Sequence, residues 1–417
     1  MSNHRTSLRY RALLFLLSPA ALLYTLYRSL KDGGWRYFFQ RWGFSYPRTT
    51  LPSVLVHCAS VGEFIAARPL LDRLNHTDTG FRLVISTNTP TAAKLVSGLP
   101  HEQFTHVYLP LDYSFAVKRF LSRICPSCVL ILETEIWPNL ILQAARKNIT
   151  TAIVNGRLSS KTLQAKRMLR NEYRSSLRNL TAILARSDED RLRFLDLGAE
   201  QQTTFNAGNL KFAAAQTDKK TRPTHIQRPY FLAVSTHEDE ELQLLEHMSL
   251  LKENNCLLVL APRYPERGKA LYQQLRQRNF TAALRSQQDS ITELTEIYVV
   301  DTLGELDSYL NEAFLVFVGG SLVPRGGHNI LEPAGFGKCA IVGPHMDNFS
   351  RETKELLDAE GIVQVSDNRE LGTQLARLVH DQCMRDRLGM NALRLVKQKA
   401  LILEHYMKFL QSILEQH

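Results

Sequence analysis

The sequence predicts an α/β protein with two doubly wound parallel sheets. Three observations carry that prediction. Short β-branched runs alternate with helical stretches; the alternation stops once near the middle of the chain and then restarts; and each run is apolar on consecutive residues. Strands buried on both faces read this way, because no position is left for a solvent-facing polar residue.

The first element stands apart from the alternation. From Ala12 to Tyr27 the run ALLFLLSPAALLYTLY carries no charge, with Arg5, Arg9 and Arg11 before it and Arg28 and Lys31 after it. It falls short of the ~17–25 apolar residues of a comfortable span, and Pro19 interrupts it. No small-x-small site precedes a polar start, which disfavours a cleaved signal peptide. Residues 1–31 are therefore expected to form an uncleaved membrane anchor that either spans the bilayer or lies in its interface. Basic flanks on both sides leave the orientation open.

The first series of strands follows: SVLVH, FRLVIST, THVYLPL, CVLILE, TTAIVN and TAILA. These define an N-terminal domain over 52–212. Residues 213–229, AAAQTDKKTRPTHIQRP, have no apolar periodicity and read as a linker. The second series, YFLAVS, CLLVLA, EIYVVD, AFLVFVGG, CAIVG and GIVQVS, defines a C-terminal domain over 230–417. The helical stretch from Leu371 onwards is long enough to pack back across a cleft between the two domains. Two such domains on one linker predict a cleft, with ligands at the carboxyl ends of strands.

Composition narrows the partners. The 417 residues are 44% hydrophobic and 22% charged, with a formal net charge of +10. That balance favours acidic partners: nucleic acid, anionic lipid or a phosphorylated substrate. The basic residues are dispersed and form no nucleic-acid-binding motif, so no nucleic-acid partner is expected. Six cysteines, most within or beside apolar runs, read as reduced thiols, and Cys125-x-x-Cys128 lacks the second pair that zinc requires.

Two stretches point to chemistry. In HCASVGEF, residues 57–64, Glu63 sits behind a glycine at the end of a strand, where α/β enzymes place reactive groups. The competing reading is a helix cap. In GGSLVPRGGHNILEPAG, residues 319–335, glycines follow a strand and open a helix near Asn329, where free amides favour phosphate. The run is neither a GxGxxG fingerprint nor a Walker A loop, which disfavours dinucleotide and P-loop functions. Asn329 and Glu332 lie three apart on one face, so that Glu332 is placed either to accept ribose hydroxyls or merely to favour the helix dipole. Glu133 and Glu135 read as catalytic or as solvated loop carboxylates. His57, His237 and His328 read as structural, and HEDEE at 237–241 as a helix start.

The motifs ASVGE (59–63), ETEIWPN (133–139), NGRLS (155–159), GNLKF (208–212), APRYPER (261–267), DTLGEL (301–306) and GGHNILEP (326–333) occur in that order. Together they make the chain resemble the bacterial Kdo transferases, which move 3-deoxy-D-manno-octulosonic acid (Kdo) from CMP-Kdo to a lipid A precursor. The resemblance implies a GT-B glycosyltransferase fold, two Rossmann-like domains facing a cleft, at the cytoplasmic side of a bacterial inner membrane. It implies Glu63 as catalytic base, with Glu133 and Lys211 supporting the transition state. It assigns CMP binding to Pro262, Arg263, Gly304, Glu305, Leu306, Asn329, Ile330, Leu331 and Glu332. Tyr264 departs from the histidine usual there, and Ile330 from proline. No cofactor or metal is expected, CMP-Kdo being a substrate, and the acceptor is an anionic lipid. A GT-B enzyme using a UDP-sugar is the alternative.

Overall fold

The computed structural model describes residues 5–48, 52–76, 81–99, 104–216 and 221–414. The expected anchor and linker fall partly outside these, at residues 1–4 and 217–220. The chain forms two compact units, one comprising Met1–Ala214 with Leu401–His417, the other Ala215–Ala400.

In the first unit, strands β1 (Ser53–His57), β2 (Arg82–Thr87), β3 (Phe104–Tyr108), β4 (Pro126–Leu132), β5 (Thr150–Gly156), β6 (Ala182–Ala185) and β7 (Thr204–Asn206) form one sheet in the order β3-β2-β1-β4-β5-β6-β7. Every pairing is parallel. The apolar runs have the expected cause. Val54 and Val56 of β1 pack on one face with Phe64, Leu70 and Leu71, while Leu55 packs on the other with Phe120 and Ile141. The short edge strand β7, Thr-Phe-Asn, has no apolar run and was not anticipated.

In the second unit, β8 (Tyr230–Thr236), β9 (Leu257–Pro262), β10 (Ala282–Leu284), β11 (Ile297–Val299), β12 (Leu315–Val318), β13 (Ala340–Val342) and β14 (Ile362–Gln364) form a second parallel sheet. Its order is β10-β11-β9-β8-β12-β13-β14. Each sheet therefore has one point at which the chain reverses its direction of winding: between β1 and β4 in the first, and between β8 and β12 in the second. Crevices at such points are where open α/β sheets bind ligands.

The expectation that 230–417 form one domain is corrected at its end. The helix Ile402–Leu414 belongs to the first unit, because Tyr406, Met407 and Leu410 are buried in the core beneath β1. The Tyr406 hydroxyl donates to the Gly208 carbonyl at 2.8 Å.

The N-terminal segment is longer than the expected 1–31. Helix α1 (Leu8–Arg28) runs through one π-helical turn, Ser29–Gly33, into α2 (Gly34–Arg41). This 34-residue element has a mean hydropathy of 1.4 over its most apolar window, which is only 11% buried. Its polarity is inverted relative to an ordinary surface helix. Tyr10, Ser18, Thr25 and Ser29, at helical spacing, turn inward, while Phe15, Leu16, Leu23, Tyr27 and Leu30 are exposed. The inward stripe is tied along its length. The Tyr10 hydroxyl donates to Asp112 at 2.9 Å, Ser18 meets the Tyr113 hydroxyl at 2.9 Å, and the Trp42 indole donates to Thr25 at 3.0 Å.

Candidate functional site

Three residues separate the end of β1 from helix α3 (Val61–His76), and Glu63 lies in its first turn. Ser60 acts as the N-terminal cap: its hydroxyl accepts the Glu63 amide at 3.3 Å, while the Glu63 carboxylate accepts the Ala59 amide at 2.7 Å and the Ser60 hydroxyl at 3.3 Å. The capping reading is thus geometrically fulfilled. Capping alone would hold a carboxylate ionised, yet this one is 8% exposed and its pKa is pushed up to about 8. Burial is the main cause, and the negative charges of Glu133 and Glu135 add to it against the Ala59 and Ser60 hydrogen bonds.

Glu133 follows β4, across the switch point from Glu63. It holds a left-handed backbone conformation, φ 54°, unusual outside glycine and typical of functional turns. Its amide donates to the Val154 carbonyl at 3.0 Å, and Arg157 stands 3.9 Å from its carboxylate. Glu135, two residues on, is not a solvated loop carboxylate. Asn88 donates to it at 3.3 Å and His57 Nε2 lies 3.9 Å away.

Lys211 opens the short helix Lys211–Ala214, which packs on α3. Asn155, at the end of β5 and also left-handed (φ 56°), accepts the Leu210 amide at 3.1 Å, and the Asn209 side chain accepts the Lys211 amide at 3.1 Å. Asn155 therefore places the lysine loop beside α3. Of the expected trio, Glu63 and Glu133 stand beyond the carboxyl ends of β1 and β4, while Lys211 is carried by the loop tied to the end of β5 and by the short helix on α3.

In the second unit the other residues follow three strands, β9, β11 and β12, of which β12 borders the switch point. Asn329 donates to Glu332 at 3.1 Å and caps the Leu331 amide at 3.2 Å, at the start of the helix Leu331–Gly335. Ile330 and Leu331 are buried beneath them. Fewer amides are open than the glycines promise, because buried Glu240 accepts those of Gly320, Ser321 and Leu322 at 2.7, 2.9 and 3.0 Å. Glu240 also accepts the His237 amide at 3.1 Å, so the first acid run does open a helix and additionally clamps the glycine run. Pro262 ends β9, Arg263 follows it, and the Arg263 guanidinium lies 5.9 Å from the Tyr264 ring centre. Glu305 is engaged by Arg285 at 2.8 Å and by Thr302, so the turn at Gly304–Glu305–Leu306 presents chiefly its peptide groups.

Sequence reasoning set His237 and His328 aside, but the structure stacks them at this switch point. Their Nε2 atoms are 2.9 Å apart and their rings are inclined by 17°. Burial lowers both pKa values, that of His328 to about 4 with help from Arg263, so both rings are neutral and one donates to the other. Their separation by 91 residues hid the pairing. The chain's Asp-x-Asp triplet, Asp188-Glu189-Asp190, is structurally committed: Asp190 takes Arg186 at 2.7 Å and Ser187 at 2.9 Å.

Residues 36–214 match the family model described as 3-deoxy-D-manno-octulosonic-acid transferase (kdotransferase). A 3-deoxy-D-manno-octulosonic acid transferase of Haemophilus influenzae is 31% identical over 98% of this chain and 99% of its own. The chain belongs to the Kdo transferase family. It is a glycosyltransferase, and its two parallel sheets are of the GT-B type. A glycosyltransferase from Rickettsia africae superposes with a TM-score of 0.59 at 12% identity, covering 88% of this chain and all of its own. A putative UDP-N-acetylglucosamine 2-epimerase from Listeria monocytogenes also scores 0.59, at 13% identity over 88% of this chain and 97% of its own. Those two likenesses concern the fold alone, which a transferase and an epimerase share; membership of the Kdo transferase family rests on the first two findings.

Proposed function

We propose that this Kdo transferase takes Kdo from CMP-Kdo and attaches it, with inversion, to the lipid A precursor lipid IVA in lipopolysaccharide synthesis. The observation that carries the reading is Glu63, a carboxyl with a pKa of about 8 at the switch point of its sheet. A base is most effective when its pKa lies near the working pH.

Kdo is joined through a carbon that also bears a carboxylate. Departure of CMP builds positive charge on that carbon and negative charge on the phosphate. Glu63 takes the proton of the acceptor hydroxyl as that oxygen attacks the anomeric carbon from the face opposite CMP. Glu133 and Lys211 stabilise the charges that develop, and Arg263 neutralises the departing phosphate. Pro262, the 304–306 turn, and Asn329, Ile330, Leu331 and Glu332 hold the nucleotide, with Glu332 on the ribose. These cations serve where a bridging metal otherwise would, so activity survives EDTA.

The inverted polarity of α1 supports attachment to the cytoplasmic face of the inner membrane by a helix lying in the interface. A spanning helix would have to release Tyr10, Ser18 and Thr25 from the contacts that hold them along the first unit. Two basic pockets flank the apolar stripe. One is lined by Arg5, Arg11, Lys118, Arg146 and Lys147, the other by Arg48, Arg119 and Arg123. Anionic lipid, as bilayer or as bisphosphorylated acceptor, is the partner such a border favours.

Mass spectrometry of lipid products after incubation with CMP-Kdo and lipid IVA tests the reading; absence of a Kdo-bearing product sinks it. Competition between CMP and UDP for binding separates it from a UDP-sugar transferase.

A further inference from the structure

Glu135 has no role in the reaction as described, yet it is held from two sides. It lies in the loop after β4, two residues from Glu133, with its side chain 24% exposed. Asn88, following β2, donates to Glu135 Oε2 through Nδ2 at 3.3 Å. The oxygen of the same amide accepts from Arg41 Nη1 at 2.7 Å. Arg41 is the last residue of α2, is 6% exposed, and also donates to the Leu109 carbonyl at 2.6 Å. Among the described residues it makes no direct ion pair. A buried guanidinium with no carboxylate against it is costly unless its charge is used at a distance.

The other side of Glu135 is equally directed. His57, the last residue of β1, places Nε2 at 3.9 Å, while its Nδ1 is 3.0 Å from the Ser86 hydroxyl. Among the described residues, Nε2 of His57 and Nε1 of Trp137 are both buried without a hydrogen-bond partner within normal geometry. Burial pushes the Glu135 pKa up, but His57, Trp137 and Arg41 outweigh it and the net shift is downward. Glu135 thus stays ionised beside Glu63, whose own pKa it helps to raise.

We propose that Glu135 is a positioning residue acting through Glu63: a fixed negative charge, locked by the Arg41–Asn88 relay from the membrane-facing helices, that keeps the Glu63 carboxylate basic enough to accept the acceptor's proton. The inference rests on Glu63 being the base. It makes α2 part of the active-site machinery as well as of the membrane attachment.

Several other charged or titratable groups face Glu63 or its helix. They are Glu133 with Arg157, the Cys58 thiol, and Lys211, whose short helix packs on α3. Arg68–Asp72 and Arg73–Glu404 are paired among themselves further along α3. The Arg41–Asn88 relay ends on Glu135, so variants at 88 and 135 test it apart from these groups.

The experiment is the pH dependence of kcat/KM on CMP-Kdo and lipid IVA for wild type, Glu135→Gln, Asn88→Ala and the double variant. Removing the charge at 135 lowers the affinity of Glu63 for its proton, so the acid limb moves to lower pH by ~0.5 unit or more, and the plateau rate falls because the base is weaker. Asn88→Ala releases Glu135 towards solvent and moves the limb the same way by less. The double variant matches Glu135→Gln, because Asn88 acts only through Glu135. An unmoved limb in a folded Glu135→Gln protein overturns the proposal, and so does full additivity in the double variant. If Glu63→Gln keeps wild-type turnover, the base assignment fails first, which is a different outcome from the other two.

Discussion

The Glu63 carboxylate accepts the Ala59 amide at 2.7 Å, so the residue placed to act as base is also the clasp of its own helix start. The two roles make opposite demands. Capping favours the charged form, and burial next to Glu133 and Glu135 favours the neutral one.

Those demands give a first prediction. Glu63→Gln keeps the shape and still accepts the amide through its carbonyl, but it cannot take a proton. CMP binding by calorimetry is retained while turnover falls by ~10²-fold or more. Near wild-type turnover would falsify the assignment.

Stability and activity move in opposite directions at this residue. The folded pKa of about 8 lies above the ordinary 4.5, so the folded state holds the proton more tightly, and stability falls as pH rises from about 4.5 to 8. Glu63→Gln removes this penalty. Its melting temperature should exceed that of wild type at pH 9 and approach it at pH 4, and wild-type activity should show an acid limb near pH 8. A variant less stable at pH 9 would mean that the capping charge outweighs the burial.

The N-terminal helix carries a second contrast. Deleting residues 1–30 removes Tyr10 and leaves Asp112 buried with a partner lost, although its other donors, the amides of Asn139 and Leu140, remain at 2.9 and 3.0 Å. The truncated protein should be soluble but melt lower. Replacing the exposed Phe15, Leu16 and Leu23 by serine should instead release the protein from vesicles with little change in melting temperature. Unaltered vesicle flotation in the triple variant would show that the apolar stripe is not the attachment.

Much of this architecture is legible in the sequence because both sheets are buried on both faces. Runs such as SVLVH and YFLAVS admit no other reading, whereas β7, Thr-Phe-Asn at an edge, offers no signal. The site is legible in part. Glu63 and Glu133 announce themselves by standing after strands, and Asn329–Glu332 by opening a helix behind a glycine run. His237 and His328 do not, nor does the reach of Glu240 across 80 residues to the Gly320 amide, because only the strand order brings β8 beside β12. The unit that the last helix joins is hidden for a similar reason: amphipathicity shows that one face of the helix is buried, not in which core.

The Glu240 clamp gives a third prediction. Its carboxylate satisfies four backbone amides, two of them buried, and Glu240→Ala strands them at a cost of ~3 kcal/mol or more in unfolding free energy. Glu240→Gln keeps an acceptor and should lose less. If the two variants denature alike in urea, shape rather than hydrogen bonding holds the glycine run.

The fourth prediction concerns the grip on the nucleotide. Glu332 receives the Asn329 amide at 3.1 Å, which orients its carboxylate on the first turn of a short helix. A charged acceptor on the ribose contributes about 1.5–3 kcal/mol, so Glu332→Ala should weaken CMP binding by roughly 10- to 150-fold. The ribose is remote from the bond that breaks, so the contact is equally strong in ground and transition states. The loss should therefore appear as a higher KM for CMP-Kdo with kcat changed much less. Asn329→Ala removes the orienting amide and should produce the same pattern at smaller amplitude. Unchanged CMP affinity with a collapsed kcat would move Glu332 into the chemistry. Unchanged affinity and unchanged kcat would leave it a helix-start carboxylate with no ligand.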